Sequence, residues 1–386
     1  EDASCVVSAK YNRKRENGMS NNAVGTESFA TEEKREVGKK LRWAIVGCGG
    51  ISTTHLDAIK QIPEIEVVAG CDIKPDRLKL MNEKYGIQAT YEKWDDLLAE
   101  IKPDVVDVCT PNGVHMPAAV AVLYAGCHVI TEKPMAMSPA ECQMMVDAAK
   151  KNGKLLCTGF QYRYHPSCEM FKRAMAAGDI GDILFVKCRA LRRRGIPNWG
   201  VFGQKELQGG GPMIDIGVHV MESAHYCMGE PKPVSASGNC WTYIGDKPSE
   251  VTSMWPNWDW KTFTVEDLAI GQIRFDTGAL MQVEASFSAH IEKDVWNFEI
   301  MGTKGGFNWE TSTLFTDHAG TMINSKAAFL PGTQFNSLFV AKLKNFADAC
   351  LTGSPLRAPG ESGMAVQKMI DGIYRSAAAG KEVTID

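Results

Sequence analysis

The run Leu41-Arg-Trp-Ala-Ile-Val46 leads straight into Gly47-Cys-Gly49-Gly50-Ile51-Ser52, and a second apolar run, Glu66-Val-Val-Ala-Gly-Cys71, ends at Asp72. A buried strand, a glycine turn, a helix, a second strand and an acid roughly 20 to 25 residues on make the dinucleotide-binding fingerprint. Gly47 permits the sharp turn. Gly49 lets the backbone approach a pyrophosphate, whose charge sits at the N-terminus of the next helix. Gly50 and Ile51 open that helix. Ser52 stands at the usual third glycine and is small enough for close helix–strand packing. Asp72 accepts both ribose hydroxyls and repels a 2′-phosphate, which favours NAD over NADP. Lys74 and Arg77 lie close behind and keep some NADP use open.

From residue 41 to about 160 apolar strands alternate with helical stretches: Trp43–Val46, Val67–Cys71, Val105–Thr110, His128–Thr131 and Leu155–Thr158, with helices such as Thr54–Gln61, Pro75–Lys84 and Pro139–Asn152 between them. This predicts a parallel sheet covered on both faces, with ligands bound beyond the strands' carboxyl ends. Polar residues gather at those ends: Thr110-Pro111-Asn112-Gly-Val-His115, Glu132-Lys133-Pro134 and Gly159-Phe-Gln161-Tyr-Arg163-Tyr164.

Beyond residue 163 strand-like alternation takes over, at Ile183–Leu191, at Asp267–Phe287 around a turn at Asp276-Thr-Gly278, and at Val295–Met301. Short turns between neighbouring strands predict an antiparallel sheet. Helical stretches at Met213–Met228, Phe335–Cys350 and Ser362–Ala379 make this half α+β. The expected fold class is α/β: an N-terminal doubly wound domain over residues 41–162, and over 163–386 an α+β domain for substrate binding and oligomerisation. Residues 1–40 are polar and without amphipathic period, and are expected to form a disordered lead or a segment foreign to the natural chain; Met19 lies inside it and is a candidate start.

A chain of 386 residues suits two domains. Its net charge of −4 gives no footprint for nonspecific nucleic-acid binding. No apolar run approaches the roughly 18 residues of a membrane span. Twelve scattered cysteines form no CxxC pair and no zinc-ligand spacing, so buried free thiols in a reducing cytosol and no metal are expected.

Gly209-Gly-Gly-Pro212-Met-Ile-Asp215-Ile-Gly-Val-His219 carries the second constellation. Three glycines allow close approach to a ligand, and Pro212 suits a first helical turn. Asp215 and His219 share one helical face. An acid beside a histidine orients it and raises its basicity, as a general base requires; a structural pair, or half of a metal site, is the alternative. Lys133, held between Glu132 and Pro134 at a strand end, is placed to stabilise an alkoxide, unless it is an ordinary surface lysine.

In joint occurrence and order these motifs are specific. Over residues 41 to 380 the chain resembles the Gfo/Idh/MocA oxidoreductases, the glucose–fructose oxidoreductase and inositol dehydrogenase group. The resemblance implies a Rossmann domain followed by a domain whose open-faced sheet forms a homo-oligomer interface. It implies catalytic roles for Lys133 and His219 with Asp215 in support. Thr110, Pro111, Asn112, His115, Glu132 and Gln161 are then expected at the cofactor, and Arg163, Tyr164 and Trp199 with the catalytic residues at the substrate. The implied reaction is NAD-dependent oxidation of a secondary hydroxyl on a sugar or glycoside, with C3 of a pyranoside as best match. Free inositols compete. Two other readings on the same fold are a glycosidase that oxidises transiently with tightly held NAD, and a non-catalytic NAD sensor.

Trp255, Trp258 and Trp260 are candidates for stacking on a pyranose or for an oligomer interface. The run Leu191-Arg-Arg-Arg194 either meets a substrate or forms a solvated strand.

Overall fold

A computed structural model describes residues 40–386, so the expected lead lies outside the described residues except at Lys40. The first half alternates as the apolar runs predict. β1 (Leu41–Val46), α1 (Gly50–Ile59), β2 (Ile65–Cys71), α2 (Pro75–Tyr85), β3 (Thr90–Tyr91), α3 (Trp94–Ile101), β4 (Val105–Val108), α4 (Asn112–Tyr124), β5 (His128–Thr131), α5 (Pro139–Asn152) and β6 (Leu156–Thr158) follow in order. The six strands pair in parallel in the order β3-β2-β1-β4-β5-β6. The order reverses between β1 and β4, and their carboxyl ends frame the crevice where doubly wound sheets bind ligands.

Alternation along β1 assigns its side chains to opposite faces. Trp43 and Ile45 join the core beneath α1, whereas Ala44 and Val46 join a second core with residues of α3, α4 and α5. Trp43 is fully buried and meets Phe346 edge-on at 5.9 Å.

The second half contains α6 (Pro166–Ala177), β7 (Ile183–Leu191), the short α7 (Lys205–Gln208), α8 (Val218–Cys227) and β8 (Pro233–Trp241), followed by the run of strands β9 (Leu268–Phe275), β10 (Leu280–Ser286), β11 (Val295–Gly302), β12 (Gly305–Asn308), β13 (Thr313–His318) and β14 (Thr321–Lys326). The chain ends with α9 (Phe335–Thr352), α10 (Gly360–Ala379) and β15 (Val383–Thr384). These nine strands form one sheet in the order β14-β13-β12-β11-β7-β10-β9-β8-β15, antiparallel except where β10 pairs with β7. One face, with Val186, Cys188, Ala190, Met281 and Val283, is buried; the other keeps Lys187, Arg189, Gln282 and Glu284 half-exposed. Ion pairs Lys187–Glu284 (3.6 Å) and Arg189–Glu299 (3.3 Å) cross that open face.

The final helices depart from a simple division at residue 163. α9 packs on α1, and α10 packs on α5 and β6 as well as on β8. The apolar stripe of each is wide enough to serve the first sheet, so the end of the chain returns to cover it. The eleven described cysteines are free and nine are buried; burial pushes Cys48 and Cys157 up to about 12, which leaves them as inert thiols. No helix among the described residues is long and apolar enough to cross a membrane.

Gly47 has φ +91°, and a Cβ there would lie 2.7 Å from the backbone of Cys109 and Thr110. Gly47→Ala is therefore expected to lower unfolding free energy by about 1–3 kcal/mol. Denaturant titration checks this, and wild-type stability in the variant would contradict the close approach.

Candidate active site

The glycine turn is shaped as a cradle. Gly49 precedes α1 in extended conformation with no side-chain cap, and Cβ atoms at Gly49 or Gly50 would meet nothing within 4 Å. The first N–H groups of α1 thus face open space, as an anion site at a helix N-terminus requires. Ser52 is buried and its hydroxyl donates to the Gly49 carbonyl at 2.7 Å, so it stiffens the turn in place of a third glycine. Ile51 packs against the core beneath. Asp72 accepts the Cys48 N–H at 2.8 Å and the Lys74 N–H at 2.9 Å, which fixes its carboxylate beside the cradle. Two buried polar atoms just past the ends of β4 and β6, Thr110 Oγ1 and Gln161 Oε1, have no partner among the described residues. The cradle, the held acid and these groups fit a dinucleotide.

Other residues expected at the cofactor are occupied within the protein. His115 places Nδ1 2.8 Å from the Pro134 carbonyl and Nε2 2.9 Å from the Thr110 carbonyl. It ties two strand-end loops together. Asn112 donates to the Gln208 carbonyl at 3.0 Å, linking α4 to the turn before the glycine triplet. Pro111 is exposed in front of α4. Glu132 is 5% exposed; its Oε1 is held by Lys342 Nζ at 2.7 Å and approached by His55 Nε2 at 3.1 Å. Burial opposes its ionisation, yet the Lys342 ammonium and His55 override this and hold its carboxyl well below the usual range. Within the protein it is an internal anchor between β5, α1 and α9.

Lys133 reaches across from β5 and donates to the Asp215 carbonyl at 2.8 Å and to Asp215 Oδ1 at 2.9 Å. Asp215 lies in a π-helical turn, Met213–Gly217, that precedes α8. The expectation that Asp215 orients His219 is corrected: the carboxylate turns to Lys133, and His219 Nδ1 is buried without a hydrogen-bond partner among the described residues. His219 is held instead between rings, Tyr162 edge-on at 5.2 Å and Trp296 at 5.7 Å. Burial, then the Lys133 ammonium, push its pKa well below the ordinary histidine value, against a smaller pull from Glu132. The imidazole is neutral and able to accept a proton, beside a cation that stabilises an oxyanion.

The glycine triplet serves protein packing, which corrects its reading as a ligand approach. A Cβ at Gly210 would strike the Tyr374 hydroxyl, and one at Gly211 the Glu266 carbonyl. Arg163 is also removed from the substrate. It is fully buried, with Nε donating to Glu222 Oε2 at 2.7 Å and Nη1 to Glu230 Oε1 at 2.9 Å. Tyr164 donates its hydroxyl to Asn345 Oδ1 at 2.8 Å and lines a separate cavity with Glu169 and Lys344. Trp199 is 49% exposed and meets Trp255 edge-on at 4.7 Å. Trp258 is buried, with its indole N–H on the Gly245 carbonyl at 2.8 Å, so it belongs to the loop's own core. Of the arginine run, Arg192 stacks on Trp255 at 4.9 Å and lies within electrostatic reach of both Asp215 and His219. Arg193 and Arg194 bond neighbouring loop carbonyls.

Tyr162, Trp296 and the group His55–Asp107–Lys342 have no assigned role in the sequence motifs. Lys342 does carry a signal: it stands in the apolar stripe Phe339, Leu343, Phe346 of α9, where a lysine is buried only with a partner.

A parallel sheet with a glycine cradle and a lysine at one strand end, met by an aspartate and a histidine from the helical turn before and within α8 of a second, open-faced domain, define a two-domain dinucleotide-binding protein. Family models agree: residues 41–160 match the oxidoreductase family with NAD-binding Rossmann fold, and residues 169–308 match the GFO/IDH/MocA C-terminal domain. The chain belongs to the GFO/IDH/MocA oxidoreductase family. It is 34% identical over 348 residues to a D-glucoside 3-dehydrogenase of Escherichia coli (strain K12), covering 89% of this chain and 97% of that one. It is 27% identical over 330 residues to a myo-inositol 2-dehydrogenase of Thermotoga maritima, covering 84% and 92%. A solved levoglucosan dehydrogenase in complex with NADH and levoglucosan superposes with a TM-score of 0.77 at 25% identity, covering 90% of this chain and all of that one.

The direction of the His219 shift sets a pH dependence. A base must be unprotonated, so activity is expected to persist as pH falls through about 6.5 and to fail only at lower values. A kcat/KM profile checks this; an acid limb near about 7 or above would assign the proton to another group.

Proposed function

We propose that this protein oxidises a secondary hydroxyl of a pyranoside, with C3 of a glycoside as best match, using NAD as hydride acceptor. The observation that carries the reading is the neutral, unpartnered His219 beside a Lys133 ammonium held on Asp215. A substrate hydroxyl between them gives its proton to His219 as its carbinol carbon gives up hydride. Lys133 stabilises the negative charge that develops on that oxygen, and Asp215 keeps the ammonium in place. The nicotinamide, when bound, supplies the redox chemistry; the chain supplies orientation and charge. Gly49, Gly50 and the N-terminus of α1 are the residues that would hold the pyrophosphate, and Asp72 the ribose.

The similarity to a protein named D-glucoside 3-dehydrogenase supports the choice of a glycoside and of C3. The half-exposed Trp199 and Trp255 offer flat apolar faces at the rim for a sugar or its aglycone. Asp72 supports NAD over NADP, because its fixed carboxylate repels a 2′-phosphate. Homo-oligomerisation through the half-exposed sheet face belongs to the same proposal.

The reading is tested by NADH formation against a panel of glycosides, free aldoses and inositols, with product masses recorded in parallel. A product lighter by two hydrogens from a glycoside supports it. Turnover confined to inositols would replace the substrate, and release of an aglycone without net NADH would make the protein a glycosidase. Lys133→Ala should lower kcat by about a hundred- to ten-thousand-fold while NAD still binds; normal turnover would remove its role. Asp72→Ala should weaken NAD about tenfold, roughly 1.4 kcal/mol, and relax discrimination against NADP. An unchanged cofactor preference would take Asp72 out of the ribose site.

A further inference from the structure

Behind the cleft lies a chain of buried ionisable groups drawn from four elements: Asp107 on β4, His55 on α1, Glu132 at the end of β5 and Lys342 on α9. His55, Asp107 and Lys342 are 0% exposed. His55 Nδ1 donates to Asp107 Oδ2 at 2.6 Å, and its Nε2 lies 3.0 Å from Lys342 Nζ. Lys342 Nζ donates to Glu132 Oε1 at 2.7 Å. Cys109 Sγ lies 3.4 Å from Asp107 Oδ1 and 3.6 Å from His55 Nδ1. His55, Asp107 and Cys109 together have metal-ligand chemistry, but the ammonium of Lys342 already supplies the cation beside them.

Burying these charges costs more than an apolar cluster of the same volume would, so stability alone does not account for Lys342 in an apolar stripe. The network ends at the cleft. Glu132 Oε2 accepts the backbone N–H of Lys133 at 3.2 Å. Lys133 Nζ in turn sits on Asp215. Gly159 backs the carboxylate, since a Cβ there would lie 2.7 Å from Glu132 Oε1.

We propose that Lys342 is a positioning residue for the reaction: by anchoring Glu132 it fixes the backbone of Lys133 and aligns its ammonium with His219. This rests on Lys133 and His219 being the catalytic pair. Helix α9, far along the chain, thereby takes part in a site otherwise built from strand ends and the π-helical turn. The groups facing Lys342 and Glu132 are His55, Asp107, Cys109, His115 on α4, Lys133, Cys157 on β6 and His219 on α8. Those facing His219 are Lys133, Glu132, Lys342 and Arg192. Lys342 acts on His219 as a cation and lowers its pKa, whereas Glu132, which Lys342 helps to keep ionised, raises it, so loss of Lys342 displaces the acid limb of kcat/KM.

The test uses the full chain as Lys342→Met and as Lys342→Met with Glu132→Gln, the second leaving neither charge without a partner. Tm, NADH binding by fluorescence, kcat and the kcat/KM profile are read for each with a glycoside the wild type oxidises. The single variant is expected to lose at least about tenfold in kcat, with NADH affinity changed less than about threefold and the acid limb displaced from its wild-type position. The double variant is expected to recover Tm while kcat stays low. Wild-type kcat and profile in the single variant would overturn the proposal. So would recovery of kcat in step with Tm in the double variant, or its failure to fold, since either makes the pair purely structural. A wild type that oxidises nothing on the panel overturns the parent reading instead, and this proposal with it.

Discussion

Lys133 joins the two halves of the molecule through one ion pair. Its backbone belongs to the end of β5 in the first sheet, and its ammonium rests on Asp215 in the π-helical turn of the second domain, 2.9 Å away. Everything that gives the cleft its chemistry is arranged around that contact. The strand end carries Lys133 forward, the π-helical turn brings Asp215 to meet it, and α8, which continues from that turn, carries His219. A pair only partly exposed to water keeps more of its electrostatic strength than a surface pair, and holds the lysine in one orientation.

Burial then divides the ionisable groups by task. His219, desolvated and beside a cation, is neutral; Glu132, equally buried but beside Lys342, is ionised. Both groups are thus driven to their deprotonated forms, the imidazole by desolvation and a neighbouring cation and the carboxyl by an ammonium that outweighs burial, which leaves a neutral proton acceptor within electrostatic reach of a fixed anion. Arg163, with two carboxylates and two aromatic rings around it, shows the structural counterpart: carboxylate partners inside the protein make a buried charge a strut.

Much of this was legible in the chain. The β1–turn–α1 segment with Asp72 follows from local rules of strand, glycine and helix, and its geometry is local as well. The strand ends at Thr110, Lys133 and Gln161 follow from the parallel alternation. Other assignments depended on side-chain direction. Asp215 and His219 stand four residues apart, a spacing that implies mutual contact, yet a π-helical turn and a distant lysine redirect the acid. Glycines at 210 and 211 are required by Tyr374 and Glu266, remote in sequence. Arg163 and Tyr164 follow a strand end as the site residues do, and only the partners Glu222, Glu230 and Asn345 show them turned inward.

The sequence by itself determined the doubly wound first domain, the antiparallel second sheet, the dinucleotide cradle and the identity of the lysine and histidine in the cleft. These depend on hydrophobic period, turn chemistry and residue type, all written within short stretches of chain. Tertiary structure alone decided which charges pair, which histidine is neutral, and that α9 sends Lys342 beneath Glu132. Pairing and desolvation depend on distances between segments up to 287 residues apart, as between Lys342 and His55, and no local pattern encodes them.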